Sequence, residues 1–228
     1  MMRKTICIWV QVMVLVLASG CRTPQSSVRR SACCVTIPDR AEEICPILIG
    51  QSLPKMVLRT SDNTAFDLNA AIAEQAAILV FFRGGWCPYC SRQLGQLQSI
   101  ESELVQLGFQ IIAISPDRPG LLMGHAEKQG LKYRVLSDSE MMAAQSLGIA
   151  FRVDDATVNK YKTSYGIDLE ADSGQTHHLL PVPSVFIIEK DGRIHFSYMN
   201  PNYKVRIDPD LLLEAAKTVA RRAAASKP

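Results

Sequence analysis

The stretch Ala77-Ile78-Leu79-Val80-Phe81-Phe82-Arg83-Gly84-Gly85-Trp86-Cys87-Pro88-Tyr89-Cys90 decides how the chain folds. Six apolar residues in a row, 77–82, have the pattern of a central strand covered on both faces. Proline suits the first helical position, where its missing N–H has no partner to lose. The chain therefore turns at Gly84-Gly85 and opens a helix at Cys87-Pro88. Leu94, Leu97, Ile100, Leu104 and Leu107 then recur at three- and four-residue steps, which gives that helix one apolar face. Gly108 ends it, and residues 109–114 read as a second buried strand. Strand, helix and strand of this length make a right-handed parallel crossover.

Upstream, residues 56–59 and 64–68 read as short strands that pair, and 70–75 as a short helix. Downstream come a helix over 119–129, a strand over 133–136, and a helix capped by Asp138 that runs to Leu147. Residues 154–180 are long and polar, with a helix at 156–164 followed by loop. Residues 185–190 and 193–198 flank Asp191-Gly192, a strong signal for a hairpin. Asp208 caps a closing helix with Pro209 in its first turn, running to about Arg222. The pattern predicts α/β with a mixed central sheet flanked by helices. The order of elements resembles the thioredoxin fold.

Cys87-Pro88-Tyr89-Cys90 is where chemistry is expected. The N–H groups at a helix N-terminus favour negative charge, so they favour thiolate over thiol at Cys87. Cys90, three residues on, shares its face of the first turn and is within reach of a disulfide. The pair is thus able to cycle between dithiol and disulfide. Cys87 is expected to be the more exposed, low-pKa thiol and Cys90 the buried resolving one. Gly84 and Gly85 are expected to let a substrate backbone approach the sulfur. Zinc is the structural alternative for such a pair, but it needs two further ligands at suitable spacing. The remaining cysteines are N-terminal, and His125, His177, His178 and His195 supply no second ligand pair. His177-His178 reads as a solvated pair in a polar loop. No metal, haem or flavin is implied.

At 228 residues the chain is long enough to bury a core without disulfide staples. Its 47% hydrophobic and 21% charged residues are ordinary for a globular chain and exclude fibrous or largely disordered classes. A net charge of +3, with the basic residues scattered, points away from nucleic acid. Seven cysteines are too few for a disulfide scaffold.

The N-terminus reads as a targeting segment. Arg3 and Lys4 precede an apolar run over 6–17, nearer a signal-peptide core than a membrane span. The run ends in Leu17-Ala18-Ser19-Gly20-Cys21, which looks like a bacterial lipobox with Ala18 where leucine is usual. The organisation expected is a signal peptide over 1–21 with lipid on Cys21, a flexible tether over 22–45, and a folded domain over 46–228. Ordinary secretory cleavage nearby, or an uncleaved anchor, is the alternative. The domain is then exported, on the periplasmic side of a bacterial membrane, where disulfides are permitted. Cys33, Cys34 and Cys45 lie in or near the tether and read as incidental thiols ahead of a pair or a relay.

From about residue 47 to 220 the chain resembles the peroxiredoxin-like branch of the alkyl hydroperoxide reductase/thiol-specific antioxidant family. The resemblance rests on residues 82–90, Ile114-Ser115-Pro116, Tyr165-Gly166-Ile167-Asp168, Pro181-Val182-Pro183 and Asp191-Gly192-Arg193. It implies a thioredoxin fold and reduction of hydroperoxides by a cysteine thiolate, with a second thiol closing a disulfide. It also implies an external thiol reductant such as a thioredoxin-like protein, and a substrate-positioning role for Trp86 and Pro183. Pro183 resembles the cis-proline that faces the cysteine pair in thioredoxin-like folds. The family usually carries proline seven residues and threonine three residues before the peroxidatic cysteine. Counting back from Cys90 meets Arg83 and Cys87, and from Cys87 meets Val80 and Gly84. Arg83 is then the candidate for the positive charge at the site, unless it is a surface arginine paired with a carboxylate. The alternative functions are a protein thiol–disulfide oxidoreductase acting on exported clients, and a non-enzymatic redox-sensing module.

Overall fold

The structure, a computed structural model, describes residues 36–225. The expected signal segment with Cys21, and Cys33 and Cys34 of the expected tether, lie outside these residues.

The expected central strand is β3 (Ala77–Phe81), with all five residues buried. It lies parallel to β4 (Gln110–Ser115) in the register Ala77↔Gln110 to Phe81↔Ile114. The crossover between them is α2 (Pro88–Gln106). Preceding elements are β1 (Val57–Arg59), β2 (Ala65–Asp67) and α1 (Leu68–Glu74), which Asp67 caps by accepting from the Ala70 N–H. Following β4 come α3 (Pro119–Gln129), β5 (Arg134–Ser137), α4 (Met142–Ser146) and β6 (Ala150–Arg152). Next are α5 (Asp155–Tyr165), α6 (Leu169–Ser173), β7 (Leu179–Pro181), β8 (Ser184–Ile188), β9 (Ile194–Met199) and α7 (Pro209–Ala225).

Seven strands form one mixed sheet in the order β2-β1-β5-β4-β3-β8-β9, and β6 pairs with β7 apart from it. Alternation along β3 divides the core. Leu79 and Phe81 face Leu68 and Ile72 of α1, with Phe186 beside them. Ile78 and Val80 face Leu94, Leu97 and Leu104 of α2 and Leu212 and Val219 of α7. Each such leucine contributes about 1.5–3 kcal/mol by leaving water. Cys87 and Cys90 both belong to this second cluster.

Four details differ from the sequence reading. Asp138 does not take the helix cap position. Met141 does, in the left-handed region at φ 56°, and the Asp138 carboxylate reaches past it to the N–H groups of Ala143 and Ala144 at 3.0 and 2.9 Å. The presumed loop within 154–180 holds α6 and β7, because Leu169, Leu179 and Leu180 each find apolar cover that polar neighbours conceal in the sequence. The expected tether 22–45 is docked over its last residues. The Pro38 carbonyl accepts from the Arg152 N–H at 2.8 Å, Ile37 packs on the core, and residues 41–43 form a 3-10 turn. Cys45 is disulfide-bonded rather than an incidental thiol. Among the described residues no helix is long and apolar enough to cross a membrane.

Candidate active site

β3 delivers the chain to the site. After Phe82, whose N–H bonds the Ile114 carbonyl, the backbone turns through Gly84 at φ 142°. The Cys87 N–H closes this turn on the Gly84 carbonyl at 3.1 Å. Cys87 is the N-cap of α2 with extended backbone, and Pro88 follows at the first helical position. The Cys87 carbonyl accepts from Cys90 and Ser91, both at 3.0 Å. The first turn of α2 thus aligns both sulfurs, as the spacing requires.

The glycines have a different role from the one expected. A Cβ on Gly84 would meet Trp86 Nε1 at 2.4 Å, and one on Gly85 would meet His125 Nδ1 at 2.1 Å. The space beside the turn is filled by the protein's own Trp86 and His125, so these residues admit side chains rather than a substrate backbone.

Exposed surface does not distinguish the two cysteines. Cys87 and Cys90 are each 1% exposed, so Cys87 is not the more exposed thiol. Their electrostatics do differ. The hydrogen bond from the Cys90 thiol, aided by the charges of Arg83 and Arg206, brings Cys87 down to about 6 against its burial. Burial pushes Cys90 well up, and the neighbouring Cys87 adds to this. Cys87 is therefore the sulfur of the pair that ionises first.

Arg83 is 4% exposed and has no carboxylate partner among the described residues, so it is not a surface ion pair there. Its guanidinium lies among three aromatic rings, 4.2 Å from the centre of Tyr203, 5.1 Å from Trp86 and 5.6 Å from Tyr161, whose hydroxyl it also bonds. Cation–π contacts of this kind hold a buried charge without neutralising it. The Trp86 and Tyr161 rings also touch, 5.9 Å apart. Beside Arg83 opens a groove of about 380 Å³ lined by Tyr161, Tyr203, Phe151, Arg152 and Pro183. The Val182–Pro183 bond is trans, against the cis expectation. Val182 donates to the Ile149 carbonyl and its own carbonyl accepts from Ser184 Oγ, and the bond has the ordinary, lower-energy isomer.

Sequence reasoning missed four further residues here. Tyr203 and Arg206 come from the loop between β9 and α7. Tyr203 stands edge-on to Tyr89 with ring centres 5.6 Å apart. Asp117, beyond the end of β4, is buried and accepts from the Gly85 N–H at 2.8 Å and from Ser115 Oγ at 3.0 Å. His125 of α3 stands 3.2 Å from the same oxygen, and Asp117 raises its pKa. The one signal available was Asp117 following the quoted Ile114-Ser115-Pro116. His177 and His178 are not a free solvated pair. His177 Nε2 lies 2.8 Å from the Ser139 carbonyl oxygen, and His178 Nε2 lies 2.8 Å from Glu170 Oε1. Among the described residues no three His, Cys, Asp or Glu side chains are placed to hold a metal.

A dithiol at a strand-to-helix junction on a thioredoxin-like sheet is able to cycle between dithiol and disulfide. The AhpC/TSA family model matches residues 49–197, and the chain belongs to that family. The putative peroxiredoxin bcp of Haemophilus influenzae is 28% identical over 104 residues, which are 46% of this chain and 66% of that relative. The chain therefore matches just under two thirds of the length of this curated relative. Reduced Prx3 of Vibrio vulnificus in complex with H2O2 has a TM-score of 0.61 at 17% identity, covering 75% of this chain and 99% of that one. Xanthomonas campestris peroxiredoxin Q has a TM-score of 0.57 at 18% identity, covering 77% and 98%. These structures show that the fold is that of peroxiredoxins.

Proposed function

We propose that the protein is a thiol peroxidase that reduces hydroperoxides with the Cys87/Cys90 pair. The observation that carries this reading is the Cys87 thiol, brought to about 6 at the N-cap of α2 beside the buried Arg83 guanidinium. The Cys87 thiolate attacks one peroxide oxygen, the O–O bond breaks, and the released alkoxide or hydroxide takes a proton. Cys87 becomes a sulfenic acid. The Cys90 sulfur attacks it, water leaves, and an intramolecular disulfide forms. Arg83 supplies the positive charge that holds the peroxide, and the family's usual threonine has no counterpart here. An external thiol reductant, such as a thioredoxin-like protein, returns the pair to the dithiol. Trp86 and Pro183 shape the approach to the site.

The test is a single turnover. Reduced protein mixed with one equivalent of hydrogen peroxide or an organic hydroperoxide should lose two thiols per peroxide consumed. Client-protein adducts without peroxide consumption would transfer the reading to disulfide exchange. The segment before Cys21 supports export and lipid attachment at Cys21, on the periplasmic side of a bacterial membrane. Mass spectrometry of membrane-extracted protein tests this, and an unmodified chain beginning at Met1 contradicts it.

A further inference from the structure

Asp117 is a buried carboxylate that touches neither sulfur and that the proposed reaction does not use. One oxygen, Oδ2, is occupied by the Gly85 N–H, Ser115 Oγ and the nearby His125 ring. The other, Oδ1, is buried without a hydrogen-bond partner. Arg83 has the complementary defect, since its Nε is also buried and unpartnered. Leaving one such group unmatched costs about 1–3 kcal/mol, and more when it is charged. Arg83 and Asp117 line the same cavity of about 10 Å³, together with Trp86 and Asp172. That volume holds about one water molecule, and such waters sit where buried polar groups lack other partners. Asp117 Oδ1 also lies beside the turn itself, since a Cβ on Gly84 would approach it to 2.9 Å.

We propose that Asp117 is a positioning residue for Cys87, fixing the Gly84–Gly85 turn through the Gly85 N–H and the Arg83 guanidinium through one water in this cavity. The proposal rests on the reading of Cys87 as the attacking sulfur. The charged or titrating groups that face Cys87 are Cys90 on α2, Arg83 on the preceding loop and Arg206 on the β9–α7 loop. Those that face Asp117 are His125 on α3 and Asp172 on α6. Among the described residues Asp117 hydrogen-bonds Gly85 and Ser115 and neither cysteine, so its influence on the sulfur runs through Arg83 and the turn.

The sign of one measurement decides this. The rate at which a haloacetamide alkylates the reduced full-length protein is followed against pH, with mass spectrometry locating the label. Asp117→Asn keeps the shape and an acceptor for Gly85 but removes the carboxylate that shares the cavity with Arg83. It should raise the Cys87 midpoint by about one pH unit, a tenfold loss of reactivity below the midpoint. Asp117→Ala should raise it further. Asp117→Asn should add nothing to an Arg83→Ala variant. A carboxylate acting only through its charge would give the opposite result, because removing a negative charge lowers a thiol pKa. A midpoint that falls or stays fixed in Asp117→Asn overturns the proposal. The near-isosteric Asn variant decides alone if the Ala variant fails to fold. Labelling of Cys90 ahead of Cys87 in the unaltered protein overturns the reading of Cys87 and the proposal with it.

Discussion

Arg206 Nη2 lies 3.5 Å from Cys90 Sγ and joins residues 116 apart in the chain. The same guanidinium bonds the carbonyls of Tyr203 and Val205, so the β9–α7 loop presents it in a fixed pose. Its charge opposes the burial that holds Cys90 neutral. Cys90 has to lose its proton when it attacks oxidised Cys87, and Arg206 is the cation in contact with it.

Arg206→Met should therefore slow the second step more than the first. Stopped-flow tryptophan fluorescence should show the peroxide-dependent phase reduced a few-fold. The peroxide-independent phase should fall by about tenfold, the effect of one pKa unit on the attacking thiolate. Equal slowing of both phases would mean that Arg206 acts on Cys87 instead.

Removing either sulfur should give distinct products. Cys90→Ser should consume one peroxide and stop, leaving sulfenic acid on Cys87 that a dimedone reagent captures. Cys87→Ser should consume none. Its remaining thiol is held protonated by burial. A dimedone adduct on Cys90 in the Cys87→Ser protein would reverse the roles.

Asp138 should leave a signature on stability. Burial pushes its carboxyl up from the ordinary 3.8 to about 6, and the Ala143 and Ala144 N–H groups only partly compensate. Between those values the folded protein holds a proton that the unfolded chain has released. Stability from this group is therefore present below about pH 4 and is lost as pH rises to about 6, by roughly 3 kcal/mol at most. Asp138→Asn should flatten that window in denaturant titrations run at successive pH values. An unchanged slope would show that the acid is not buried as described.

Gly85→Ala tests the turn. The added Cβ would overlap His125, 2.1 Å from Nδ1, so the imidazole must move or the turn must shift. Overpacking of this kind costs about 1–3 kcal/mol. Thermal denaturation should show the loss, and His125→Ala in the same chain should recover most of it by making room.

The central β3–α2–β4 unit was legible because its signals are local. An unbroken apolar run, a proline at the first helical position and a leucine stripe each act within a few residues, and the Asp191-Gly192 hairpin is as local. The cysteine pair was legible for the same reason. The rest of the site was not, since Tyr203, Arg206 and Asp117 reach it from other loops and no spacing rule relates them to Cys87. Arg83 could be named but not understood, because a buried guanidinium among Trp86, Tyr161 and Tyr203 looks in sequence like any arginine. The small elements α6 and β7 were hidden by their polar neighbours. The left-handed Met141 hid the true start of α4, since nothing about methionine announces φ 56°.

Both active-site sulfurs sit inside the apolar cluster beneath α2 and α7. The reduced and oxidised proteins differ only by two hydrogens and one S–S bond. Unfolding each, and oxidising the unfolded chain, closes a thermodynamic square. Any difference in stability between the two redox forms must therefore equal the displacement of the reduction potential from that of the unfolded dithiol, about 1.4 kcal/mol for every 30 mV. Leu94 and Val219 carry no polar atom, yet they help set this potential through the same cluster. A void opened at Val219 that weakens one form more than the other moves the potential by the difference. The electron affinity of this protein is in part a property of its packing.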